Sequence, residues 1–81
     1  MYLEFKPSGV CSRQINIEIE DGIVKDVKFI GGCDGNTKGI SSLVKGMKSK
    51  DVIKRLEGIK CGRKNTSCPA QLALALKQMD N

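Results

Sequence analysis

The chain of 81 residues predicts an α+β fold, a three-stranded antiparallel sheet followed by three helices packed on one of its faces. Three observations carry this expectation. The stretch QINIEIE sets Ile15, Ile17 and Ile19 in strict alternation, which gives a strand one apolar and one polar face. From Ile40 onward the apolar spacing changes to i, i+3, i+4, i+7, the stripe of an amphipathic helix. Turn-forming residues gather at Pro7-Ser8-Gly9, at Asp21-Gly22 and around Gly31, Gly32 and Gly35, and they divide the chain into pieces of element length. No internal repeat, low-complexity tract or linker interrupts residues 1–81, which read as a single domain.

Residues 2–6 (YLEFK) form the first short strand, stopped by Pro7. QINIEIE is the second strand, and IVKDVKFIGG, with Ile23, Val27 and Phe29 on one parity, is the third. The loop between them decides the register, since partners directly opposite share a face. A two-residue Asp21-Gly22 loop would set Ile17 against Asp26 and Ile15 against Lys28. A three-residue Glu20-Asp21-Gly22 loop sets Ile19 against Ile23 and Ile15 against Val27, with Gly22 in the left-handed position such loops need. The second register is therefore expected; it leaves Lys25 opposite Ile17 and Cys11 opposite Gly31, with Cys33 two residues further on.

Ile40, Leu43, Val44 and Met47 make the stripe of the first helix, which Asn36 or Thr37 can cap and Gly46 can end. Ser49 caps a second helix with Asp51 in its first turn, a stripe of Val52, Ile53 and Leu56, and Gly58 as its stop. The third begins near residues 66–68 with Pro69 in its first turn, where a missing N–H is harmless. Leu72, Leu76 and Met79 share one side, and Ala73 and Ala75 permit close approach.

A domain of this size has a small core, with roughly 3–5 kcal/mol of net stability, so a metal staple would help it. No apolar run has signal-peptide length or approaches the roughly 20 residues of a membrane span, so a cytoplasmic protein with no membrane contact is expected. In that compartment cysteines serve as thiols or metal ligands rather than disulfides. The net charge of +5 comes from scattered lysines and suits a solvated basic face, an acidic protein partner or a nucleic acid. Tyr2, Phe5 and Phe29 are the only rings, which leaves few stacking platforms for single-stranded bases. With no histidine and no serine beside a base, catalysis by the chain alone is not expected, and Glu18, Glu20 and Asp26 read as solvent-face strand residues.

The chemistry therefore rests on four cysteines, Cys11, Cys33, Cys61 and Cys68. None forms a CxxC pair, so zinc-ribbon spacing is excluded. Their surroundings say more. Cys33 stands in a glycine-rich turn ahead of one helix, and Cys68 opens another behind Arg63 and Lys64. Helix starts favour the anionic thiolate, which is the form that ligates metal.

CGRKNTSCPAQLALAL resembles the signature of the TSCPD domain, named for Thr-Ser-Cys-Pro-Asp, and matches it at Thr66, Ser67, Cys68 and Pro69. The chain departs at Ala70, where the family has aspartate. GGCDGNTKGISSLVKGM and Cys61-Gly62 are similar too, so the resemblance covers nearly the whole chain. That domain occurs as an appendage of adenosylcobalamin-dependent ribonucleotide reductases and as small stand-alone proteins, and this chain looks like the stand-alone form. More remotely, CSRQINIEIEDGIVKDVKFIGGCDG is similar to U-type iron–sulfur cluster scaffolds, whose three cysteines match Cys11, Cys33 and Cys68 in order and context. Ser12-Arg13 stands where the scaffold has Gly-Asp, Ser67 stands where many scaffolds have histidine, and Cys61 is extra. The resemblance implies the scaffold's fold and its clustering of thiols, and not cluster assembly.

The first expected function is thus a zinc- or iron–sulfur-binding module using Cys11, Cys33, Cys61 and Cys68, accessory to a larger enzyme such as a ribonucleotide reductase or another acidic protein. The second is a thiol redox relay through Cys61 and Cys68 associated with such a reductase. The third is a basic module that binds nucleic acid or an acidic protein.

Overall fold

The computed structural model of the chain describes residues 1–10, 12–32, 34–60 and 65–79, with the backbone alone at 34–36. Three strands, β1 (Tyr2–Phe5), β2 (Ser12–Glu20) and β3 (Ile23–Gly31), precede three helices, α1 (Asp34–Val44), α2 (Ser49–Leu56) and α3 (Cys68–Met79). The sheet is antiparallel in the order β1-β2-β3. This is the α+β order the sequence predicts.

The alternation in β2 works as expected. Ile15 and Ile17 have no exposed surface and Ile19 almost none, while Glu18 and Glu20 face water. Val24 and Val27 extend this apolar face across β3, and Leu3 and Phe5 of β1 pack at its margin. Val44, Val52, Leu72, Ala75 and Leu76 bring all three helices onto the same cluster. Each large side chain so enclosed contributes roughly 1.5–3 kcal/mol relative to exposure. Among the described residues no helix is long and apolar enough to cross a membrane.

The hairpin differs from expectation. Asp21 (φ 55°) and Gly22 (φ 77°) form a two-residue turn with both residues left-handed, and Glu20 pairs with Ile23 and Ile19 with Val24. A turn of that hand matches the right-handed twist of the flanking strands. The mispairing that argued against this turn is removed by a bulge. Lys25 is the extra residue between the Ile19–Val24 and Glu18–Asp26 pairs, and beyond it Ile17 meets Val27 and Ile15 meets Phe29. Val24, rather than Ile23, is therefore the buried residue at the start of β3. A second irregularity at Arg13 leaves Gly31 paired with Ser12 rather than with Cys11. Replacing Gly22 with alanine is expected to cost about 1 kcal/mol, read as a lower urea midpoint at unchanged m value. The cost is purely conformational, because an added Cβ meets nothing within 4 Å.

The helix ends also differ. α1 starts at Asp34, so Asn36 and Thr37 lie inside it rather than capping it. Thr37, Ile40 and Val44 turn inward, and Leu43, about 100° away around the axis, is 77% exposed. Ser49 is the first residue of α2, not its cap; extended Lys48 precedes it without a capping side chain. Neighbouring backbone replaces the cap: the Ser49 N–H donates to the Gly22 carbonyl at 2.9 Å, and the Val24 N–H donates to Met47 at 2.9 Å. Gly46 (φ 84°) donates to the Val24 carbonyl at 2.8 Å, so the link between α1 and α2 is fastened to the first residues of β3.

Candidate functional site

Of the four cysteines singled out in the sequence, Cys68 is a free, half-buried thiol at the first position of α3. Cys11, Cys33 and Cys61, with Arg63 and Lys64, lie outside the described residues. Among the described residues no three Cys, Asp or Glu side chains converge as a metal site would require.

Thr66 and Ser67 lead into α3, which opens with Cys68 and Pro69, and the side chains of Ser67 and Cys68 tie this turn to distant parts of the chain. The Ser67 hydroxyl accepts the Ala70 N–H at 3.2 Å, which caps the helix. The same hydroxyl donates to the Ile59 carbonyl at 2.7 Å, anchoring the segment that leaves α2. Thr66 accepts from Gln71 Nε2 at 3.0 Å, and Gln71 Oε1 accepts the Ser8 N–H at 3.2 Å. The loop before β2 is held against this turn closely enough that a Cβ on Gly9 (φ 73°) would lie 3.2 Å from the Thr66 methyl. The Sγ of Cys68 stands 2.9 Å from Oγ of Ser12, the buried first residue of β2. Pro69 follows without needing an N–H partner. Ala70 is buried, so the chain keeps the Ser67 cap but lacks the carboxylate that the family's aspartate would place three residues after it.

Three segments thus meet at the opening of α3: the start of β2 through Ser12, the loop at Ser8 through Gln71, and the exit from α2 through Ile59. The end of β3 joins them because Ser12 pairs with Gly31. Arg13 crosses this end of the sheet, and its Nε would lie 3.3 Å from a Cβ on Gly31. A guanidinium therefore occupies the place where the scaffold resemblance supplies a carboxylate. Such a site can ligate or exchange through a thiol that has a hydroxyl beside it. General-base chemistry has no histidine to use, and Glu18, Glu20 and Asp26 are all exposed strand carboxylates.

The sequence pattern marked Cys68 and missed its partners. Ser67 was detectable as a serine immediately ahead of a Cys-Pro helix start. Gln71, 5% exposed on a helix otherwise faced with leucine and alanine, was the polar residue out of place. Ser12 carried no local signal. Ser67→Ala is expected to cost roughly 1–2 kcal/mol in chemical denaturation, since it removes a cap and leaves the Ile59 carbonyl without its donor.

The family model described as TSCPD domain matches residues 3–80. No curated protein and no solved structure matches the chain.

Proposed function

The chain belongs to the TSCPD-domain family, and from that premise we propose that it is a small metal–thiolate module in which Cys11, Cys33, Cys61 and Cys68 hold zinc or an iron–sulfur cluster. The observation that carries this reading is the 2.9 Å contact between Ser12 and Cys68. Ser12 is the chain neighbour of Cys11, and its partner Gly31 stands two residues before Cys33. Ile59, which accepts from Ser67, stands two residues before Cys61. Successive Cα atoms are about 3.8 Å apart, so every other cysteine is tethered within two residues of a group tied to the start of α3, directly or through Ser12.

The donor set decides the class of metal. With no histidine in the chain, a closed site would be all sulfur, which suits tetrahedral zinc or an iron–sulfur cluster. Four thiolates around one Zn²⁺ leave a net charge of −2, which Arg13 and the chain's net +5 offset. The Ser12 hydroxyl can donate to the Cys68 sulfur and so tune its basicity, as outer hydrogen bonds do at metal centres. Bound metal would contribute folding free energy that a core of this size cannot supply alone. An accessory role beside a larger enzyme, with a ribonucleotide reductase or another acidic protein as client, follows from where the family occurs. A reducing cytoplasm would keep the thiols available.

The test is elemental analysis of protein purified anaerobically without chelator. About one equivalent of zinc, or iron with matching sulfide and visible thiolate-to-iron absorption, is expected. Less than about a tenth of an equivalent of either metal would overturn the reading. A reversible Cys61–Cys68 disulfide in metal-free protein would instead assign the pair to thiol exchange.

A further inference from the structure

β3 is an edge strand, and α1 lies beside it. Between them runs an open cleft of about 370 Å³. On the strand side residues 26–29 all border it, and on the helix side Lys38, Ser41, Ser42 and Lys45 do. Both sets are informative. Four consecutive strand residues have side chains on alternate faces, so a cleft touching all of them follows the edge of the sheet rather than one of its faces. Residues 38, 41 and 42 fall at i, i+3, i+4 on one face of α1 turned toward that edge, and Lys45 borders the cleft just past the helix end. Among the described residues the backbone bonds across the outer edge of β3 are confined to its start, where Val24 pairs with Gly46 and Met47. The remaining peptide groups are a template for another strand.

We propose that this cleft binds an extended acidic peptide, which adds a strand to the outer edge of β3 and places its carboxylates between β3 and α1. The recognition mode is edge-strand addition beside a helix: main-chain hydrogen bonds supply register and flanking side chains supply selectivity. Lys28, Lys38 and Lys45 set the charge of the occupant, and the half-buried Phe29 gives an apolar side chain a contact. Asp26 is the one acidic residue on the rim; it pairs with Lys45 at 3.5 Å, with both side chains more than half exposed, so an incoming carboxylate can replace it at small cost. A second copy of the chain is a poor occupant, since antiparallel pairing of β3 with itself about its middle sets Lys25 of one copy opposite Lys28 of the other. A nucleic acid cannot continue a peptide ladder. This inference is independent of the cysteines, so it stands or falls apart from the metal site.

The probe is a fluorescein-labelled peptide of about ten residues alternating valine and glutamate, titrated at low salt against the intact protein. Saturable binding is expected, with amide resonances of residues 25–31 shifting on titration. The same peptide N-methylated on alternate amides, which keeps its charge and removes ladder donors, is expected to bind about tenfold more weakly. The Lys28→Glu/Lys45→Glu double variant should also lose about tenfold. Equal affinity for the methylated peptide, competition by oligothymidine of equal charge, or no binding at all would each overturn the proposal. The methylated-peptide comparison needs no protein variant, so poor folding of the lysine variant leaves the proposal falsifiable.

Discussion

Leu72→Ala is expected to remove most of the domain's stability. Leu72 has no exposed surface and stands on the inner side of α3, in one cluster with Ile15, Ile17, Val24 and Leu76. Truncating such a residue costs about 2–5 kcal/mol, part lost transfer energy and part the cavity left behind. A domain of this size has only ~3–5 kcal/mol in total. Urea titration followed by far-ultraviolet circular dichroism should therefore show a much lower midpoint, or a substantially unfolded population without denaturant. Leu74 provides the control. It belongs to the same helix with a similar side chain but is 47% exposed, so Leu74→Ala should stay within about 0.5 kcal/mol of the parent. Similar losses from both substitutions would mean that α3 does not present the face described.

Cys68→Ser is the other large effect, and it separates metal from packing. As a change of one half-buried atom it should be mild in metal-free protein. If the four cysteines hold metal as proposed, the substitution takes away one thiolate ligand and with it the binding free energy linked to folding, a loss expected to exceed ~3 kcal/mol. Thermal unfolding with and without chelator reads the difference directly. The parent should melt lower when stripped, and Cys68→Ser should melt at one temperature in both conditions. Ser12→Ala tests the neighbour more gently. All four sulfurs remain while the hydroxyl at 2.9 Å is lost, so metal affinity against a competing chelator should fall about tenfold. A parent protein whose melting ignores the chelator would leave Cys68 a packing residue.

Much of the frame was legible because it rests on local periodicity. Ile15, Ile17 and Ile19 declare one face of a strand, and Leu72, Leu76 and the alanines beside them declare one face of a helix; both are buried as their spacing requires. The hairpin was less legible because two local rules conflict. Turn chemistry favours two residues at Asp21-Gly22, while uninterrupted pairing favours three; the bulge at Lys25 satisfies both. The sequence does carry its trace, two apolar residues at Ile23-Val24 followed by two polar ones at Lys25-Asp26, where strict alternation lapses. Leu43 fits the helical period and still faces water, since the rotation of α1 about its axis is set by what β3 offers and not by the helix itself.

The site divides in the same way. That Cys68 would open a helix was readable from Ser67 and Pro69 on either side of it. That Ser12 would meet Cys68, or that Ser8 would bond Gln71, was not, because these pairs are 56 and 63 residues apart and neither hydroxyl nor amide announces its partner. Long-range polar contacts follow from the packing that brings two segments together, and periodicity carries no information about them.

The most direct measurement is X-ray absorption at the metal edge of the protein as isolated. If the thiols of Cys11, Cys33, Cys61 and Cys68 close one site, the first shell contains four sulfur atoms, at about 2.3 Å for zinc, and Cys68→Ser loses the metal signal. A shell of nitrogen or oxygen, or a sulfur shell indifferent to loss of Cys68, would contradict it.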